Sequence, residues 1–182
     1  MNQESGVPIF ISGLAIRLAM ACIFAQSAYH ALRDSSAYGN VLEQYRLLPS
    51  AFVRAFALLL PLAMLATAVG LLIPRTSQLS GLAGVGLMAL FTLAITINLS
   101  RGRIHIDCGC GGPDGQRLSR GLIVRNVVSI ALLLYAASAP QQGVLDVAGA
   151  IGAFGGACVS VAFYFAANAL LHNRAALRAA GE

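Results

Sequence analysis

The sequence contains five apolar runs, each long enough to cross a lipid bilayer as a helix. They cover residues 9–32, 51–73, 79–99, 118–138 and 144–171, and a transmembrane helix needs ~20 predominantly apolar residues. Only 10% of the residues are charged, whereas soluble domains carry roughly 25%. Too few charges remain to cover a water-facing surface. We therefore predict an all-α polytopic transmembrane helix bundle that forms one integral membrane domain over residues 1–182.

The charged residues give a formal net charge of +5, and the chain contains no lysine. Most arginines flank the apolar runs, where they meet lipid head groups, so a nucleic-acid partner is not expected. Arg17 and Arg125 lie within runs, and we expect them to extend their charged ends towards the head groups. Three asparagines inside the runs are expected to hydrogen-bond across helices: Asn98, Asn126 and Asn168.

The arginine distribution predicts the orientation of the bundle. With five spans, the N-terminus shares a side with the turns "PRTSQ" and "APQQG", which together hold only Arg75. The opposite side holds Arg33, Arg46, Arg54, Arg101, Arg103, Arg117, Arg120, Arg174 and Arg178. The positive-inside rule places this second side, with the loop 100–117, in the cytoplasm. No positively charged segment precedes the first run, so we expect a retained helix rather than a cleaved signal peptide.

Two further patterns concern packing. The link 33–50 has apolar residues spaced towards one face of a short interfacial helix: Tyr38, Leu42, Tyr45 and Leu48. Small residues recur in the third run (Gly81, Gly84, Gly86) and in rows of the fifth (Gly149, Gly152, Ala153, Gly156, Ala157). Such rows allow close helix contact in lipid. They predict packing within the chain, with a homodimer seam as the alternative.

The stretch "RGRIHIDCGCGGPDGQRLSRG", residues 101–121, is the most polar of the chain and contains Cys108 and Cys110. Residues two apart can reach disulfide distance, and Gly109 tolerates the backbone of so small a ring. A strained, exposed disulfide of this kind exchanges readily. Flanking arginines (Arg101, Arg103, Arg117, Arg120) would favour the attacking thiolate. The charge of Asp107 would oppose the thiolate, but its carboxylate would relay a proton. The pattern predicts thiol–disulfide exchange.

Other readings of this loop stay open. His105, Cys108 and Cys110 would serve as soft ligands for copper or zinc, although a tetrahedral site would lack one ligand. The two cysteines would alternatively be ordinary thiols in a polar loop. A further alternative is a non-enzymatic assembly scaffold that holds a partner through its glycine-rich faces. No hydrolase triad, nucleotide-binding loop or pair of intramembrane carboxylates is present, which argues against hydrolases and pumps.

The first run carries polar residues on one helical face, namely Cys22, Gln26, His30 and Arg33. Gln26 and His30 would hydrogen-bond the carbonyls of a quinone, or His30 and Arg33 would anchor the helix at the head groups. Cys22 and Cys158 lie near the middle of the first and fifth runs. They would either relay oxidising equivalents across the bilayer or be small buried apolar residues.

Particular residues also resemble a known family. The "DCGC" element before "LSRGLIVRN" is similar to the MauE family of membrane proteins. The first run and its exit, "AIRLAMACIFAQSAYHALRDSSAYGNVLEQYRLLP", resemble the wider DoxX-like group. The resemblance extends over Leu14–Ser138. The family pattern tends to have an aromatic or other apolar residue after the second cysteine, where this chain has Gly111.

The resemblance implies a four-helix DoxX-like core with a C-terminal helix, in the bacterial cytoplasmic (inner) membrane. It implies that Cys108, Cys110 and Asp107 are the redox positions. It further implies a role in maturing the disulfide-rich small subunit of methylamine dehydrogenase, beside a thioredoxin-like partner. A periplasmic client would require the loop outside, in conflict with the arginine count.

Overall fold

The computed structural model describes residues 3–47, 49–103, 106–108, 117–141, 143 and 145–180, with side chains between residues 7 and 173 of these ranges. The described residues form six helices. They are α1 (Gln3–Arg33), α2 (Ser35–Tyr45), α3 (Ser50–Leu72), α4 (Ser77–Ser100), α5 (Arg120–Ser138) and α6 (Val147–Ala180).

Five of these helices are long and apolar enough to cross a membrane. The candidate spans are Val7–Arg33, Ser50–Leu72, Ser77–Ser100, Arg120–Ser138 and Val147–Asn173. The predicted number of spans and the all-α class are therefore confirmed, and most boundaries agree within two or three residues. The fifth helix differs most, because it continues to Ala180, beyond the predicted end at residue 171.

The spanning helices form a four-helix core with a fifth helix at its side. Helix α1 packs against α3 and α5, and α4 also packs against α3 and α5, which closes the ring. The core is filled by apolar side chains from these helices, including Phe24, Met64, Leu71, Met88 and Leu133. Helix α6 packs mainly along α1. This arrangement agrees with the expected four-helix core and additional C-terminal helix.

Small residues hold α6 against α1. A methyl group in place of a hydrogen on Gly149 would lie 3.1 Å from Ile11 Cδ1, and one on Gly156 would lie 3.2 Å from Ala15 Cβ. Ala153, in the same row, is buried. The row is thus used for packing within the chain, as predicted, and the alternative of a homodimer seam stays a prediction.

The glycines of α4 divide between two environments. Gly81 faces Ala137 of α5, and Gly84 faces Phe24 of α1, in both cases too closely for a larger residue without adjustment. A methyl group on Gly86 would meet no described atom within 4 Å, and Gly86 is exposed. The packing prediction is therefore confirmed for the first two residues and wrong for Gly86.

Helix α2 uses its apolar face for packing inside the protein. Tyr38 and Tyr45 are buried, and Tyr38 clusters with Ala31 of α1, Ala57 of α3 and its own neighbour Leu42. The predicted helix and face are confirmed, but the face contacts α1 and α3 rather than head groups alone. Leu48 lies outside the described residues.

Asp34 begins α2 as its N-cap and links helix stability to pH. Its carboxylate accepts hydrogen bonds from the Ala37 amide at 2.9 Å and the Ser36 hydroxyl at 2.8 Å, and these bonds hold the pKa of Asp34 below its ordinary value of 3.8. A carboxyl group whose pKa is lower in the folded than in the unfolded state stabilises the folded state at pH values above the pKa of the unfolded chain. This stabilisation is lost as the pH falls through the pKa of the folded state. We expect wild type, but not Asp34→Ala, to lose α2 protection in amide exchange below about pH 4.

Candidate functional site

The chain leaves α4 through a tight C-terminal motif that directs it into the cysteine loop. Gly102 has a φ of 73°, a conformation that favours glycine. The Gly102 amide donates to the Leu99 carbonyl at 3.1 Å, and the Arg103 amide donates to the Asn98 carbonyl at 3.0 Å. These two bonds form a Schellman motif, which satisfies the last carbonyls of the helix.

This motif gives a prediction for Gly102. Gly102→Ala should lower the free energy of unfolding by about 1 kcal/mol, because a Cβ is disfavoured in the left-handed region. The measurement is reversible unfolding in mixed micelles. Gly86→Ala is the matched control, because Gly86 is helical and exposed, and it should leave stability unchanged or slightly raised. Equal losses in both variants would contradict the assigned role of Gly102.

The base of the loop is closed by a short antiparallel bridge. Asp107 pairs with Arg117, and the Leu118 amide donates to the Ile106 carbonyl at 3.2 Å. Cys108 follows the bridge directly, so its backbone is held where the two arms of the loop meet. The pairing of Asp107 places this predicted site residue beside Cys108 at the foot of the loop.

Cys108 lies in an apolar cluster rather than in an exposed loop. Its exposed fraction is 8%, and it packs with residues of α2, α4, α5 and the loop base: Tyr45, Ile95, Ile106, Leu118 and Leu122. The Tyr45 hydroxyl donates to the Cys108 carbonyl at 3.3 Å. The expectation of an exposed position is wrong for Cys108, because α2 folds over the loop base and covers it.

Of the remaining loop residues, Cys110 and His105 lie outside the described residues. The arginines at the described ends of the loop differ in environment: Arg101, Arg117 and Arg120 are exposed, whereas Arg103 is half-buried. Their effect on a thiolate stays a prediction. Among described residues, no group of three His, Cys, Asp or Glu side chains could hold a metal ion. The copper or zinc reading depends on His105 and Cys110, so it also stays a prediction.

A cavity of about 250 Å³ adjoins Cys108. Its wall is formed by α2, α3 and α4, by Leu47 from the link between α2 and α3, and by Cys108. The lining residues are Tyr38, Val41, Leu42, Tyr45, Leu47, Phe56, Leu60, Met64, Leu90, Phe91, Ala94, Ile95 and Cys108. The lining is almost entirely apolar. The sequence pattern of α2 indicated one of the three helical walls, but the cavity itself was not predicted, because its other walls are distant in sequence.

The polar face of α1 does not line this cavity. Cys22, His30 and Arg33 are exposed, and Gln26 is half-buried. Neither Gln26 nor His30 lines the cavity beside Cys108. The exposure of His30 and Arg33 at the end of α1 agrees with anchoring at the head groups. A quinone contact at Gln26 and His30 stays a prediction.

Cys22 and Cys158 are both exposed on the surface of the bundle. On a spanning helix, such a surface faces lipid. The alternative in which both are buried apolar residues is therefore wrong. A relay between them would need two thiols directed towards each other, which their exposed positions do not support.

Arg17 and Arg125 are buried in the bundle, so the expectation that they extend to the head groups is wrong. Arg17 of α1 donates to the carbonyls of Ala136, Ala139 and Pro140 at 2.8–3.2 Å. Arg17 therefore binds the C-terminal end of α5. Buried carbonyl groups need partners in lipid, and Arg17 supplies them from another helix.

Arg125 of α5 also has its partners inside the bundle. Its guanidinium donates to Asn126 Oδ1 at 2.9 Å and to Asn168 Oδ1 of α6, and it lies 5.0 Å from the centre of the Tyr164 ring. The predicted bond across helices is thus found for Asn168. Asn98 instead donates to the Ala94 carbonyl of its own helix. Arg125 also lines a cavity of about 660 Å³ between α1, α5 and α6.

The fold and the loop together define a polytopic helical membrane protein with a cysteine-bearing loop at one end of a four-helix core. The chain belongs to the MauE family, because the family model described as "Methylamine utilisation protein MauE" matches residues 9–139. The matched region contains the loop and the helices α1 to α5, apart from the first residues of α1. The wider DoxX-like resemblance stays a prediction.

Individual relatives carry the same description, "Methylamine utilization protein MauE". The chain is 38% identical to the one from Paracoccus versutus over 125 residues, which cover 68% of this chain and 67% of the relative. It is 32% identical to that of Methylophilus methylotrophus over 174 residues, or 94% of this chain and 89% of the relative. The Methylorubrum extorquens relative is 37% identical over 139 residues, or 73% and 74% of the two chains. No solved structure matches the chain.

Proposed function

We propose that the chain is a membrane-bound thiol–disulfide redox protein that works through Cys108 and Cys110. The observation that carries the proposal is the position of Cys108 at the foot of a loop closed by the Asp107–Arg117 bridge, with Cys110 only two residues further on. The bridge fixes the backbone beside Cys108, at the start of the Cys-Gly-Cys sequence.

The proposed exchange transfers a disulfide to a thioredoxin-like partner. A thiolate of the reduced partner attacks the Cys108–Cys110 disulfide, and a mixed disulfide forms while one cysteine of the pair leaves as a thiolate. The second thiolate of the partner then attacks the mixed disulfide. The partner becomes oxidised, the Cys108–Cys110 pair becomes a dithiol, and two electrons have passed from the partner to this chain.

Asp107 supports this exchange from the base of the loop. Its backbone pairs with Arg117, and its side chain is half-buried next to the first cysteine. A carboxylate in this position accepts a proton from a thiol and returns it when a thiolate leaves. Asp107 is thus proposed to relay protons, whereas Cys108 and Cys110 carry the electrons.

The family description supports a role in methylamine utilisation. We propose that the client is the small subunit of methylamine dehydrogenase, reached through the thioredoxin-like partner, and that the chain lies in the bacterial cytoplasmic (inner) membrane. The five apolar helices support the membrane location.

The proposal is tested by trapping the mixed disulfide. The oxidised chain is mixed with a purified thioredoxin-like protein that retains only its attacking cysteine, and adducts are separated without reductant. With the partner in excess and the mixture quenched in acid, wild type should form a one-to-one adduct. The partner lacks the second thiol that would complete the exchange, and acid protonates the released thiolate of the pair before it can reverse the reaction. The double variant Cys108→Ser, Cys110→Ser should form none.

The matched control is the double variant Cys22→Ser, Cys158→Ser, which removes the two exposed cysteines outside the loop. It should form the adduct as wild type does. Failure of wild type to form an adduct, or an adduct that survives loss of Cys108 and Cys110, would contradict the proposal.

A further inference from the structure

We propose that the cavity beside Cys108 binds the ring of a membrane quinone, which reoxidises the Cys108–Cys110 pair. This inference rests on the proposed function, because it identifies the acceptor for electrons that the pair receives from its partner. It also moves the quinone site from Gln26 and His30 on α1 to the space enclosed by α2, α3 and α4.

The lining of the cavity suits an aromatic, lipid-soluble ligand. Aromatic side chains come from all three helices, as Tyr38 and Tyr45 from α2, Phe56 from α3 and Phe91 from α4. Ligand sites are typically apolar with a few polar groups that fix orientation. Here the Tyr45 hydroxyl, which donates to the Cys108 carbonyl at 3.3 Å, is the polar group that joins the cavity wall to the cysteine.

The volume and depth of the cavity fit a ring whose apolar tail lies outside it. Its volume of about 250 Å³ is slightly below the ~300 Å³ at which ligand pockets begin, so it holds a ring but not a complete isoprenoid chain. Leu90 lines the cavity, and α4 ends at Ser100. At the rise per residue of an α-helix, these two residues lie about 15 Å apart along the helix axis. The hydrocarbon core is ~30 Å thick. The cavity therefore extends from the loop towards the middle of the bilayer, where a quinone tail resides.

The electron balance also fits a quinone. Reoxidation of the pair breaks two S–H bonds, forms the Cys108–Cys110 S–S bond and releases two electrons and two protons. The quinone accepts both electrons and both protons and forms two O–H bonds as the quinol. A lipid acyl chain would fill the same apolar space, but it accepts no electrons.

Binding can be measured separately from electron transfer because the chain contains no tryptophan. Phe56→Trp would place a single fluorophore in the cavity wall, and Phe52→Trp would place one on an exposed position of the same helix. Both variants are studied in nanodiscs of quinone-free synthetic phosphatidylcholine, with the short-chain quinone ubiquinone-1 as the probe. We expect saturable quenching for Phe56→Trp and only collisional, unsaturable quenching for Phe52→Trp.

Electron transfer is then followed with the reduced protein. After reduction with dithiothreitol and its anaerobic removal, ubiquinone-1 should be reduced as both thiols disappear, with one quinol formed per protein. Ala94→Phe, which fills the cavity, should slow this reaction by about tenfold or more. Ala89→Phe is the matched control, because Ala89 is exposed on the same helix, and it should react as wild type does.

The outcomes separate this inference from the proposed function. Similar quenching in the two tryptophan variants would show that only lipid occupies the cavity and would overturn the inference. Equal quinone reduction by Ala94→Phe and Ala89→Phe would also overturn it, provided that dithiothreitol reduces the Cys108–Cys110 disulfide of both variants as it does in wild type. If wild type itself fails to exchange with dithiothreitol, the proposed function fails, whereas the fluorescence result still decides whether the cavity binds a quinone.

Discussion

Replacing either Cys108 or Cys110 by serine is expected to abolish client maturation. A serine hydroxyl group cannot form a disulfide, and it cannot replace a thiolate as the leaving group of the exchange. A single substitution therefore interrupts the exchange. The measurement is the amount of active, disulfide-bonded methylamine dehydrogenase in cells that express each variant at wild-type levels. Activity should fall to that of cells without the protein in both variants.

The other two cysteines of the chain provide matched controls for these substitutions. Cys22→Ser and Cys158→Ser change the same residue type at exposed positions in spanning helices, and both should support wild-type maturation. Near-normal maturation with Cys108→Ser or Cys110→Ser would remove the pair from the mechanism and would favour a scaffold. Loss of maturation with the Cys22 or Cys158 variants would instead restore the relay across the bilayer.

Replacing Arg17 by leucine is expected to give a large loss of stability. Within α5, the Ala136 carbonyl would normally accept a bond from the residue four positions later, but that residue is Pro140, which has no amide hydrogen. Arg17 satisfies this carbonyl and those of Ala139 and Pro140. Its removal leaves them without these donors, so Arg17→Leu should lower the free energy of unfolding by about 2–4 kcal/mol.

Reversible unfolding in mixed micelles measures this loss. Arg54→Leu is the matched control, because Arg54 is exposed near the start of α3, and it should change stability by less than about 0.5 kcal/mol. A similar small change for Arg17→Leu would contradict the role assigned to its carbonyl contacts.

Much of the fold follows from local sequence properties. The length of each apolar run decides whether it can span the bilayer, so all five spans were predicted near their observed positions. The small-residue row with Gly149 and Ala153 predicted close packing, since only small side chains allow such contact. The apolar face of α2 was predicted in the same way from the spacing of Tyr38 and Tyr45.

The environments inside the bundle could not be predicted, because they depend on contacts between distant helices. Arg17 and Arg125 are of a residue type that often extends its charged end to the head groups. In the structure, however, their partners come from α5 and α6. Cys108 belongs to a polar loop, yet α2 and α5 cover it. The cavity beside Cys108 exists only where α2, α3 and α4 meet. In each case the deciding neighbours lie far away in the chain.

The central claim is that Cys108 and Cys110 form one reversible redox couple. The most direct test is equilibration of the purified Cys22→Ser, Cys158→Ser variant with glutathione buffers of defined potential, followed by thiol labelling and mass measurement. The account predicts that both loop thiols disappear together in a single two-electron transition, and that they reappear together on reduction. Two thiols that remain labelled across the range, or that are lost independently, would contradict it.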